Sequence, residues 1–167
     1  MALFPIRTFG DPVLRTVAEP ITEITSSLER LVADMLETMY DAPGVGLAAP
    51  QIGVSKAIFV ADIGDGPFVM INPEIVELTG EWTWEEGCLS VPERFWPIVR
   101  PGFARARGMD LAGEAVEFSG DELMGRVLQH EIDHLHGMLL VERLGRRVMK
   151  QALRELRQEA LGMPSTR

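Results

Sequence analysis

The chain has 167 residues, 46% hydrophobic and 25% charged, with 16 Lys and Arg against 25 Asp and Glu for a net charge of -9. That size and balance predict one soluble domain, residues 1–167, with a core of its own, and the acidic excess argues against a nucleic-acid binder as a whole, a direct DNA partner included. No apolar run reaches membrane-spanning length, the first residues lack a basic segment followed by an apolar one, and the single cysteine, Cys88, excludes an internal disulfide, so a reducing, cytoplasmic setting is expected.

The chain opens extended: Gly10-Asp11-Pro12 is a turn signal, and Pro20 keeps the next segment out of a helix. Ser26 and Glu29 form a capping-box pattern. Leu28, Leu31, Val32, Met35, Leu36, Met39 and Tyr40 then recur at helical spacing, predicting a long helix whose apolar stripe joins the core and which ends at Pro43-Gly44. In Gly44-Val45-Gly46-Leu47-Ala48-Ala49-Pro50-Gln51 the backbone is almost bare and open to close approach. No Lys-Ser/Thr follows, so an extended peptide fits the stretch better than a phosphate. A tight loop packed for its own sake reads equally well there. Gln51 ends it with an amide able to donate to an oxyanion.

From residue 57 the period changes. Residues 57–61 and 68–71 read as strands joined through Gly64-Asp65-Gly66, and 74–78 as another broken at Gly80, an antiparallel meander. Residues 103–118 read as paired strands turning at Ala112-Gly113. Arg100, Arg105 and Arg107 read as a solvated face, although one of them can pair instead with Asp133 or a substrate carboxylate. Between these strands lies Glu85-Glu86-Gly87-Cys88-Leu89-Ser90-Val91-Pro92, in which Cys88 by itself reads as an apolar filler.

All three histidines fall in Gln129-His130-Glu131-Ile132-Asp133-His134-Leu135-His136-Gly137. Ser119 and Glu122 form a second capping-box pattern, predicting a helix from near Gly120. On that helix Leu123, Val127, His130 and His134 share one apolar arc, so two imidazoles one turn apart can meet one ion, with Glu131 beside it to take a proton from bound water. Asp133 points elsewhere and is expected to hold the helix through a basic partner; His136 is not expected to be a ligand. A catalytic ion needs one more protein ligand and an open position. Cys88 is the available thiol, and a thiolate favours iron, zinc or nickel over magnesium or calcium. The same motif permits a zinc metallopeptidase, whose third ligand would be a downstream Glu or His; only Glu142, Glu155 and Glu159 remain there. A structural zinc would need a fourth Cys or His, and none is evident. Residues 143–162 are predicted as a C-terminal helix and tail docking through Leu144, Val148, Ala152, Leu156 and Ala160. Its cations Arg146, Arg147, Lys150, Arg154 and Arg157, tempered by Glu155 and Glu159, read most simply as a solvated face.

Gly-Val-Gly-Leu-Ala-Ala-Pro-Gln (44–51), Glu-Gly-Cys-Leu-Ser (86–90) and Gln-His-Glu-Ile-Asp-His-Leu (129–135) resemble, in that order, the three motifs of the peptide deformylases. The likeness runs from Gly-Asp-Pro-Val-Leu-Arg (10–15) nearly to the end, and the tail resembles the bacterial type that closes with a helix. His136 stands where Asn is frequent and Glu93 where Gly is frequent; neither is a candidate ligand. The elements and the resemblance together predict an α+β fold: antiparallel strands around a central metal-binding helix, with a second long helix near the N-terminus and a C-terminal helix. The resemblance implies a metal-dependent hydrolase that removes the formyl group from the N-terminal formyl-methionine of nascent polypeptides. Cys88, His130 and His134 would hold one divalent ion, iron(II) in the cell, with zinc or nickel possible in purified protein. Hydroxide would attack the formyl carbon, with Glu131 as general base and then acid, and with Gln51 and the Leu89 N–H receiving charge on the formyl oxygen. Val45, Gly46, Leu123 and Val127 would bind substrate. Similar tails lend weight to ribosome docking through the basic C-terminal helix.

Overall fold

The computed structural model of the protein describes residues 2–162. Its helices are α1 (Ser26–Asp41), α2 (Glu122–Leu135) and α3 (Arg146–Ala160), and its strands are β1 (Gly46–Ala48), β2 (Ile58–Ala61), β3 (Phe68–Thr79), β4 (Trp82–Cys88), β5 (Val91–Arg100), β6 (Phe103–Met109) and β7 (Ala115–Asp121). A five-stranded antiparallel sheet runs β1-β2-β3-β6-β7, and β4 pairs with β5 in a separate two-stranded ribbon. This is the expected α+β arrangement around a central helix.

The alternation of side chains along β2 builds the core on both sides of the sheet. Phe59 and Ala61 pack toward α2 with Met70, Ala104, Ala106, Val127, Leu128 and Ile132. Ile58 and Val60 pack toward α1 with Leu28, Val32, Met35, Met39 and Leu47. Each large side chain buried this way contributes roughly 1.5–3 kcal/mol. The α1 stripe is as expected except at its end, where Tyr40 is 51% exposed and donates to Asp62 Oδ2 at 2.6 Å. The cap of α1 is Thr25, one residue before the expected Ser26, because Thr25 is extended and its hydroxyl accepts from the Leu28 N–H.

Three other expectations change. Residues 68–71 and 74–78 are one strand, kept continuous by irregular register after Ile71, where Asn72 takes a positive φ of 49° and its amide bonds both backbone groups of Ile21 at 2.8 Å. The Ser119–Glu122 capping box does not form. Ser119 is committed to the ladder opposite Arg105, β7 continues to Asp121, and α2 begins only at Glu122. On α3 only Ala152 and Leu156 are buried, with Leu153 partly so and Leu144 partly buried just before the helix; Val148 is 46% exposed and Ala160 is exposed, since the helix packs its apolar side chains on the domain only along its middle turns. The β4–β5 ribbon itself was not among the expected strands.

Candidate metal centre

The two histidines reach the same point because α2 stacks them one turn apart. Their Nε2 atoms are 3.2 Å apart, and Cys88 Sγ lies 3.2 Å from His134 Nε2. Cys88 comes from the end of β4, where a register shift after Gly87 turns it toward α2. The three donor atoms lie within 4.8 Å of one another. A tetrahedral ion with bonds of about 2.0–2.3 Å spaces its donors about 3.3–3.8 Å apart, so this set fits one transition-metal ion. Burial alone would raise the Cys88 thiol, but His134 and His130 beside it more than offset this and hold it well below its ordinary value, as a thiolate.

Glu86 determines which nitrogen of His130 faces the cluster. Its Oε1 accepts from His130 Nδ1 at 2.6 Å, leaving Nε2 for the ion. Burial pushes Glu86 up, yet His130 and Arg100 outweigh that and hold it well below the carboxylate range. Arg100 donates to Glu86 at 2.8 and 2.9 Å, and Arg126 at 2.6 Å. Arg126 also donates to the Trp82 and Ile98 carbonyls and lies under the Trp82 ring. Asp133 accepts from Arg100 at 2.9 Å and from Arg143, so it does hold the helix through basic partners. Of the three arginines, Arg105 and Arg107 pair with glutamates on the solvated face, whereas Arg100, 3% exposed, is the one that pairs instead with Asp133, as the alternative reading allowed, and it joins this network.

Glu131 faces the loop at Gly46. A β-carbon on Gly46 would come within 2.3 Å of Glu131 Oε1, so only glycine leaves room for the carboxylate. Its Oε2 is buried with no partner among the described residues, and burial pushes the carboxyl up to about 7 against the pull of His130 and His134. Gln51 is buried and fixed from both ends. Its Oε1 accepts from the Ala48 N–H at 2.9 Å, while Nε2 reaches Ser90 Oγ at 3.2 Å and Cys88 Sγ at 3.7 Å. Val45, Gly46, Gln51, Cys88, Leu89, Leu123, Val127, His130 and Glu131 line one cleft of about 490 Å³, and His134 lies behind it, 1% exposed. Val127 is buried at its base, and Val45 and Leu123 stand half-exposed at its rim. The cleft runs between two strand edges, β1 at the border of the main sheet and β4 in the ribbon.

Residues 3–150 match the family model described as polypeptide deformylase. The chain belongs to the polypeptide deformylase family. A peptide deformylase of Clostridium botulinum is 50% identical over 143 residues, covering 86% of this chain and 97% of that relative. A crystal structure of a peptide deformylase from Legionella pneumophila superposes with a TM-score of 0.89 at 41% identity, covering 99% of this chain and 100% of that one. The peptide deformylase of Thermus thermophilus gives a TM-score of 0.89 at 42% identity, covering 96% of each chain. As a deformylase, this chain is an enzyme of a metal-dependent family that removes the formyl group from new polypeptides. No helix of the described residues is long and apolar enough to cross a membrane.

Three residues of this deformylase site were not singled out from the sequence, Glu86 as the partner of His130, Arg126 as its counter-charge and Ser90 as the partner of Gln51, and Arg100 was matched there to Asp133 but not to Glu86. Arg126 carried a usable signal. It stands four residues before His130, so on a helix it lies on the same inward side, where a cation demands a buried carboxylate.

Proposed function

We propose that Cys88, His130 and His134 hold an iron(II) ion and that Glu131 is the base and acid of deformylation. A thiolate with two imidazoles suits iron, and it suits zinc or nickel when these replace it. The ion they would hold supplies Lewis-acid chemistry, acidifying a coordinated water and polarising a carbonyl oxygen. The observation that carries the reading is the Glu131 carboxylate, buried beside the three donors with one oxygen that has no partner among the described residues and with room made for it at Gly46. Glu131 accepts a proton as water adds to the formyl carbon, and delivers it to the amine nitrogen as the C–N bond breaks and formate leaves. The Gln51 amide and the Leu89 N–H donate to the formyl oxygen as it gains charge. The formylated chain adds as an extended strand between the β1 and β4 edges, with its methionine side chain against Leu123, Val127 and Val45.

Protein purified without oxygen should contain iron and release formate from formyl-Met peptides. Glu131→Gln should keep the metal and lose about 10²–10⁴-fold in turnover; near-normal turnover in that variant would remove Glu131 from the chemistry.

A second reading concerns where the substrate is met. Arg146, Arg147, Lys150, Arg154 and Arg157 are all exposed on α3, and Glu155 and Glu159 are drawn to Arg94. This leaves the cations open for ribosomal RNA, in the cytoplasm where new chains emerge. Replacing the five with Gln should weaken ribosome binding and flatten its salt dependence; unchanged binding leaves α3 a structural helix.

A further inference from the structure

The two donors to the formyl oxygen stand on separate parts of the fold. Gln51 belongs to the short turn Ala49–Ile52 that leaves β1 of the main sheet, and Leu89 to the turn between β4 and β5 of the ribbon. Preorganised donors stabilise an oxyanion only while their spacing holds, and neither unit sets that spacing by itself. The N-terminal segment crosses between them. The Arg7 N–H donates to the Gln51 carbonyl at 2.6 Å, and the Phe9 N–H donates to the carbonyl of Ser90, the neighbour of Leu89, at 2.9 Å. The bond from Gln51 Nε2 to Ser90 Oγ closes a ring through the segment, the Gln51 turn and the ribbon turn. The segment is anchored at both ends. Phe4 packs on the α1 core and its N–H donates to Thr38 Oγ1 at 3.1 Å, while Phe9 packs on a third cluster that joins Val91 of β5 to Leu14, Val141 and Leu156. Between these anchors the Arg7 guanidinium lies against Gly53, which closes the Gln51 turn with a φ of 84°; a β-carbon there would come within 2.9 Å of Arg7 Nε.

We propose that Arg7 and Phe9 are positioning residues: their segment bridges the Gln51 turn and the ribbon turn and so fixes the separation of the Gln51 amide and the Leu89 N–H. The proposal rests on the deformylase reading and on those two groups as its oxyanion donors. Neither Arg7 nor Phe9 lines the cleft, so neither touches the peptide and substrate binding does not depend on them. The charge on the formyl oxygen develops in the transition state, so a misplaced donor is felt in kcat and not in KM. Spacing also matters only while both donors are present. Loss of the bridge therefore costs nothing further once the Gln51 amide is gone, whereas a general weakening of the fold costs the same factor whatever stands at position 51.

The test measures kcat and KM for formyl-Met-Ala-Ala, per bound metal ion, with Gln or with Ala at position 51. Arg7→Ala keeps the N–H and loses the contact with Gly53; Arg7→Pro and Phe9→Pro each remove one N–H of the bridge. With Gln51 present, Arg7→Ala should lower kcat about 3-fold and each proline about 10-fold, short of the roughly 10²–10³-fold for losing a donor outright. KM should stay unchanged. In Gln51→Ala protein the same three substitutions should each change kcat by less than about 2-fold. Arg7 is exposed, so Arg7→Ala leaves the fold in place and carries the test even where a proline does not fold. An equal loss in both backgrounds, a change confined to KM, or an unaltered kcat in Arg7→Ala would each overturn the assignment, as would a Gln51→Ala protein of normal kcat. If the deformylase reading itself were wrong, the metal-loaded wild type would release no formate from the peptide, a result distinct from turnover that is indifferent to Arg7 and Phe9.

Discussion

Replacing Glu86 by Gln removes one negative charge with almost no change of shape, and the structure says what is then left behind. Glu86 is 6% exposed, and Arg100 and Arg126 are each 3% exposed. Without its charge Arg126 keeps only two carbonyls and the Trp82 ring, and Arg100 keeps Asp133, which it shares with Arg143. Breaking a buried ion pair on one side destabilises by about 3–5 kcal/mol, a large part of the roughly 5–15 kcal/mol that holds a domain together. His130 also loses its charged acceptor, and metal affinity should fall about 10- to 100-fold. Urea unfolding at pH 7 measures the first quantity, and competition with a chelator the second. The pH dependence gives a further check. The folded-state pKa of Glu86 lies below its unfolded value of about 4.3, so its stabilisation is complete above that value and is lost as the pH falls toward the depressed one. The gap between wild type and Glu86→Gln should therefore narrow below about pH 4. A loss under about 1 kcal/mol at pH 7, or a gap that stays constant in acid, would show that the network is not held by the Glu86 charge.

Two other substitutions address the reacting groups. Gly46→Ala puts a methyl where Glu131 Oε1 now lies, 2.3 Å away; the displaced base should lose about 10²-fold in kcat while metal content stays normal, and an unaltered kcat would mean that Glu131 works from another position. Gln51→Ala should lower kcat by about 10²–10³-fold with little change in KM, and it should also destabilise by about 1–3 kcal/mol because the Ala48 N–H loses its buried acceptor; a change confined to KM would make Gln51 a binding residue.

The two histidines of the candidate metal site were legible because their signal is periodic and local: His130 and His134 sit one helical turn apart on an apolar arc, and the α1 stripe from Leu28 to Met39 repeats in the same way, whereas Cys88 carries no such signal of its own. The ribbon was not legible. On β4 the alternating set Trp82, Trp84 and Glu86 ends in a carboxylate, so its buried face does not read as apolar, and the arginines that make that burial tolerable lie 14 and 40 residues farther along the chain. For the same reason Arg100 looked like surface. Ser119 and Glu122 are a local capping pattern, but the ladder to Arg105 claims Ser119 first. Tyr40, Val148 and Ala160 lie at the ends of real apolar stripes, where the helix has already parted from its neighbour.

The ribbon also sets the order in which this molecule comes apart. A two-stranded hairpin is marginal alone in water, and among the described residues β4–β5 pairs with no other strand. It carries one metal ligand, while the other two sit on a helix anchored in the main core. An ion bound to both therefore ties a weak cooperative unit to a strong one and lends the weak one its own binding free energy. When the metal is withdrawn, amide hydrogen exchange should quicken first in β4 and β5, with α2 and β2 still protected. In this protein the state of metal loading is thus written in the local opening of one ribbon before it is written in the stability of the whole.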